Sequence, residues 1–148
     1  MRRAVLFLTF LGTAGMSVLA DDWERWRDGR RILLVRTLSR DDVRYGEQIA
    51  ALSEKRKGLD ERDVQVVVWE ADGNPLEWPS GRKSVPAAAV GRRFPDLKPA
   101  NWRVALIGRD GEVKEVWEHV VAADQVFARI DAMPMGRLEK EERRREQR

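Results

Sequence analysis

The chain, 148 residues long, reads as an α/β domain: a four-stranded mixed sheet flanked by helices, a βαβ half followed by a ββα half. Three observations predict it. Two short, nearly unbroken apolar runs, Ile32-Leu33-Leu34-Val35 and Val64 to Trp69, are separated by a segment of helical period. An Asp-Gly turn at Asp110-Gly111 joins two further strand-like segments. A last amphipathic segment then stops at Pro134.

The start of the chain is a different material. Met1-Arg2-Arg3 is basic, Ala4 to Leu19 is uncharged and mostly apolar, and Val18-Leu19-Ala20 precedes the abrupt onset of charge at Asp21. That is the three-part pattern of a secretory signal peptide, with cleavage expected after Ala20. The run is shorter than the ~20 apolar residues a membrane span needs, and Thr9, Gly12, Thr13, Gly15 and Ser17 dilute it. A periplasmic or secreted protein is therefore expected, with no stable membrane span once residues 1–20 are removed. The lack of cysteine beyond that point excludes a lipid-modified N-terminus.

The domain is expected over residues 21–136. Asp21 to Arg31 is a charged lead-in whose Trp23 and Trp26 would dock on the core. Ile32 to Val35 is continuously apolar, as in a strand covered on both faces. From Asp41 to Lys57 the period becomes helical, with Tyr45, Ile49 and Leu52 on one face and Gly58 ending the helix. Val64 to Trp69, rich in β-branched residues, supplies the second strand and completes a parallel βαβ unit.

Between Asp72 and Asn101 stand five of the six prolines, which marks irregular chain, with one short helix over Val85 to Phe94 behind a Ser84 cap. Arg103 to Gly108 and Glu112 to Glu118 then form a hairpin. Ala122 to Met133 closes the domain as a helix that turns Val126, Phe127, Ile130 and Met133 inward. Residues 137–148, "RLEKEERRREQR", have almost nothing to bury and read as a solvated charged tail.

Composition removes several function classes. The formal charge of +3 falls to +1 when the leader leaves with its two arginines, and the remaining charges are interspersed, so no nucleic-acid partner is expected. An exported chain with no cysteine cannot perform thiol-disulfide exchange, thiol peroxidase chemistry or cysteine metal binding, because each needs a thiolate. A single histidine, His119, argues against a histidine-rich metal site. No cofactor is expected.

The segment "LLVRTLSRDDVRYGEQ" runs from the first strand straight into the first helix, and such turns carry the chemistry of several α/β folds. Ser39 with Asp42 three residues later fits a capping box, and Asp41 and Asp42 suit the positive end of the helix dipole. The competing reading is an anion or partner site, with Arg36, Arg40 and Arg44 near the free N–H groups of the helix start. As an acid-base or metal pair Asp41 and Asp42 are poorly placed, because adjacent helical residues diverge by about 100°. Glu61-Arg62-Asp63 reads as a turn with local ion pairs, and His119 as a surface histidine. Trp69, Trp78, Trp102 and Trp117 suit core and loop docking; an exposed Trp78 beside Arg82 and Lys83 would suggest a peptide or glycan contact.

"RILLV" leading to an acidic helix with Gln48, then "LDERDVQVVV", "ALIGRDGEVK" and "IDAMPMGRLE", form an ordered set covering about Asp22 to Glu139. As a set they resemble a bacterial family of exported thioredoxin-like proteins catalogued as domain of unknown function 4174, similar to a C-terminal domain of some secreted vertebrate matrix proteins. The resemblance implies the thioredoxin fold and export, and no established activity. In a thioredoxin the cysteine pair would fall within Ser39 to Arg44, where this chain has aspartates and arginines. Redox members also carry a cis-proline before the third strand, whereas here Asn101-Trp102 precedes Arg103.

The resulting expectation is a non-redox binding module for an envelope or secreted protein or an anionic surface molecule, with Ser39, Arg40, Asp41, Asp42 and Arg44 as the candidate binding residues. The alternative is an enzyme of unrecognised, cysteine-independent chemistry at the same Ser39–Arg44 helix start. No catalytic residue is assigned.

Overall fold

The computed structural model describes residues 29–71, 73–84, 86–97 and 101–148. The leader expected over 1–20 and the lead-in with Trp23 and Trp26 lie outside the described residues. Strand β1 (Arg31–Thr37) runs parallel to β2 (Val64–Glu70), and the two apolar runs pair in register from Arg31↔Val64 to Thr37↔Glu70. On its other side β1 pairs antiparallel with β4 (Trp102–Ile107).

The sheet has five strands, not the four expected, in the order β3-β2-β1-β4-β5. The additional one is β3 (Leu76–Trp78), antiparallel to β2 within the proline-rich segment. Its central residue Glu77 is buried opposite Val67 and pairs with Arg82 at 2.6 Å, so an ion pair holds this edge where apolar pattern is missing. The opposite edge is β5 (Val113–Trp117), joined to β4 through a turn in which Gly111 takes a φ of 80°, as the Asp-Gly signal requires.

Because successive strand residues point to opposite faces, continuous apolar runs feed two cores. Leu33, Val35, Val66, Val68, Val104 and Leu106 face one side, where helix α1 (Val43–Glu54) contributes Leu52 and helix α4 (Ala123–Asp131) contributes Val126, Phe127 and Ile130. Ile32, Leu34, Val67, Trp69, Ala105 and Ile107 face the other, covered by Val90 of α3 (Ala87–Arg93) and Leu97 of a 3-10 turn (Pro95–Leu97).

Two local expectations change. The first helix does not run unbroken to Gly58: α1 ends at Glu54, and a five-residue helix α2 (Arg56–Asp60) carries Gly58 inside it. A Cβ at Gly58 would lie 2.6 Å from Phe127 Cε2, so this glycine serves the close approach of α2 to α4 rather than a helix stop. Ser84 does not cap α3; its hydroxyl donates to Pro75 O at 2.9 Å, and Pro86 precedes the helix.

Beyond α4, Pro134 opens a further helix, α5 (Pro134–Glu146), whose first-turn proline needs no N–H partner. Gly136 is its buried residue, and the charged segment from 137 onwards forms its body.

Candidate functional site at the first strand-to-helix turn

Thr37 ends β1 on the α1 side of the sheet, and its hydroxyl shapes the chain that follows. Thr37 Oγ1 donates to Ser39 O at 2.8 Å and accepts from Ser39 N at 3.3 Å. Ser39 Oγ accepts from Asp41 N at 3.1 Å, and Ser39 O accepts from Asp42 N at 3.2 Å. Ser39 is thus held in the turn, and the expected Ser39–Asp42 capping box does not form. Asp42 caps instead, its Oδ1 accepting from Arg44 N at 3.0 Å just before Val43 opens α1.

Arg44 folds back on the cap. Its Nε and Nη2 donate to the two Asp42 oxygens at 3.0 and 2.6 Å, a bidentate fork, while the guanidinium lies 5.4 Å above the Trp102 ring. The Arg44 side-chain hydrogen bond, helped by its backbone N–H and charge, holds the Asp42 carboxyl below its ordinary range. Asp42 in turn pushes the Arg44 guanidinium up. Arg40 is fastened from the neighbouring strand: Glu70 accepts from Arg40 N at 3.1 Å and meets Arg40 Nε at 3.3 Å.

Arg36 is not part of this cluster, contrary to expectation. It alternates with Ile32 and Leu34 onto the opposite sheet face, is buried, stacks 4.3 Å from the Trp69 ring and donates to Trp69 O at 2.9 Å. Asp41 is exposed, and its carboxylate has no partner among the described residues. The two aspartates therefore do not converge.

Two residues complete the site without having been singled out for it. Glu70 lies beside Thr37 because parallel strands end together, a pairing that only sheet register reveals. Trp102 stands opposite Thr37 across the antiparallel pair; its ring is buried under Arg44, and its indole N–H has no hydrogen-bond partner among the described residues. Around the polar turn, Leu38 and Val43 are 54% and 72% exposed.

Chemically this is a helix start capped from within, with the Asp41 carboxylate left to solvent. The N–H that a bound anion would seek is already taken by Asp42, and a carboxylate with a lowered pKa is a weak proton acceptor near neutral pH.

The other candidates resolve in structural terms. Arg62 forks onto Asp131 at 2.9 and 3.1 Å and lies over the Phe127 ring, so Glu61-Arg62-Asp63 is a turn with ion pairs. Trp78 is half-buried against the core, with the Arg56 guanidinium 6.0 Å from its ring, and Arg82 pairs with Glu77, so the exposed Trp78 on which a peptide or glycan contact depended is not found. His119 is exposed after β5.

A family model matches residues 22–139. The chain belongs to that family, described as Domain of unknown function (DUF4174). The DUF4174 match spans the Ser39–Arg44 turn, all five strands and α5 as far as Glu139. No solved structure matches the chain. Within the DUF4174 domain, no group of three or more His, Cys, Asp or Glu side chains among the described residues could hold a metal ion. No described helix is long and apolar enough to cross a membrane.

Proposed function

We propose that the chain is an exported, thioredoxin-like binding module that works without thiol chemistry and engages an envelope or secreted protein through the surface around its first helix start. Several observations support the fold reading. Setting β3 aside, β2-β1-β4-β5 combines a parallel βαβ half with an antiparallel ββα half, the arrangement a thioredoxin shares. Export rests on the leader pattern of residues 1–20.

One observation carries the binding reading: Ser39, Arg40, Asp42 and Arg44 are engaged at the turn, while Leu38 and Val43 beside them stay exposed. A rigid turn that presents apolar side chains between arginines suits a protein surface better than a free anion, for which the helix-start donor is occupied. The alternative of cysteine-independent catalysis lacks a comparable feature, since Asp42 is held ionised by its fork with Arg44.

The test is site-specific photocrosslinking in the native envelope. A benzophenone side chain at Leu38 or Val43 is expected to give discrete protein adducts, and one at Lys57, on the exposed side of α2, is not. Adducts of equal yield at all three positions, or none at Leu38 and Val43, would sink the proposal.

A further inference from the structure

We infer that a cleft at the other end of the sheet binds an amphiphilic anion: a carboxylate or phosphate head on an apolar body of fatty-acid size. Arg31 opens β1 and Thr37 ends it, so about 20 Å separates this cleft from the turn described above. The cleft measures about 480 Å³, within the range of small-molecule sites.

Its lining combines two chemistries. Four cations, Arg31, Arg109, Lys114 and Arg129, and one carboxylate, Asp110, share it with the run Ala132-Met133-Pro134-Met135. The other acids that pair with these cations, Glu139, Asp63 and Glu115, are not among the lining residues. Cations therefore outnumber carboxylates four to one among the lining residues, although each is paired within the molecule, Lys114 with the lining Asp110.

The cations are also held in place. Arg31 is buried, donating from Nη1 to Arg62 O at 2.8 Å and to Glu139 at 3.0 Å. Arg129 Nη2 donates to Lys114 O at 3.0 Å, joining α4 to β5. Arg109 Nε lies 3.4 Å from Glu139 Oε1 but is not aligned to donate to it, which leaves a buried N–H with no partner among the described residues. Fixed donors cost an anion little reorganisation on binding. Met135, 58% exposed at the start of α5, gains a reason to be there, because methionine adapts to apolar ligands of varied shape.

The chain has four methionines, Met1, Met16, Met133 and Met135, so methyl-labelled methionine places two NMR reporters in the lining. Decanoate and decyl phosphate, each below its micelle-forming concentration, are the probes, with decylamine and inorganic phosphate as controls. Assignments come from Met133→Leu and Met135→Leu. At least one anion is expected to shift both methyls saturably, with half-saturation below about 1 mM, and the tighter of the two identifies the head group. Lys114→Gln and Arg129→Gln are expected to weaken it about tenfold with unchanged circular dichroism; if Arg129→Gln fails to fold, Lys114→Gln carries the test alone. No saturable shift with either anion would overturn the inference. So would an equal response to decylamine or to inorganic phosphate, or undiminished affinity in the charge variants.

Discussion

Gln48 joins the two halves of the domain through one side chain. It is fully buried in α1, its amide donating to Val121 O and accepting from Val121 N, both at 2.9 Å, across 73 residues of sequence. Replacing it by leucine strands both backbone groups away from water. Gln48→Leu is expected to cost about 2–6 kcal/mol in urea unfolding, since each of the two buried unpaired groups costs about 1–3 kcal/mol. Gln48→Glu is the more telling variant. Burial would raise its carboxyl above the unfolded value, so stability should be highest in mild acid and fall as pH rises through the raised value. A pH-independent Gln48→Glu protein would mean that the pair with Val121 opens to water. The sequence marks Gln48 as a polar residue in a helical segment, yet its partner is an apolar residue's backbone, which no side-chain pattern can announce.

Helix α5 is an element held by charge. Its buried residue is Gly136, where a Cβ would fall 1.9 Å from Ile130 O, and its apolar Met135 and Leu138 are exposed. What fastens it is Glu139 between Arg31 and Arg109, and Asp131 of α4 gathered by Arg62, Lys140 and Arg143. Burial alone would raise the Asp131 carboxyl, but the Arg62 hydrogen bond and the three cations outweigh it and hold the group below its ordinary range. A lowered folded-state value means that Asp131 stabilises the fold above roughly pH 4 and that this contribution is lost as pH falls below it. Amide protection in residues 137–146 is therefore expected to drop below about pH 4, and also in about 1 M salt, while β1 and β4 stay protected. Asp131→Asn should reproduce the loss at neutral pH. Exchange of α5 in step with the central strands would show that it is not separately held. This also explains what the sequence concealed: α5 has little apolar period because ion pairs to Arg31 and Arg109 replace it. Strand β3 was equally hidden, three residues among prolines whose strand character comes from pairing with β2. At the candidate site the helix start was legible from Ser39 to Arg44, whereas the choice of Asp42 over Ser39 as cap depends on Thr37 and backbone geometry.

At the scale of the molecule, the apolar runs of β1, β2 and β4 were readable because each feeds two cores, and that shared sheet decides how the protein should unfold. Leu52 of α1 and Leu97 of the 3-10 turn are both buried but belong to different clusters on opposite faces of the sheet. Leu52→Ala and Leu97→Ala should each cost about 2–5 kcal/mol, the range for a buried leucine. Sites so separated, with no shared partner, should add within about 0.5 kcal/mol. The double variant would then lose about 4–10 kcal/mol against a typical total of about 5–15 kcal/mol, and should be largely unfolded without a stabilising solute. Because β1 carries residues of both clusters, neither layer can dissolve while the other keeps its floor. Each single variant is therefore expected to unfold in one urea transition, with tryptophan fluorescence and far-ultraviolet circular dichroism coinciding. Separation of the two signals in either variant would mean that the layers are independent, and a double variant as stable as the weaker single one would mean that the two cores are coupled through the strands.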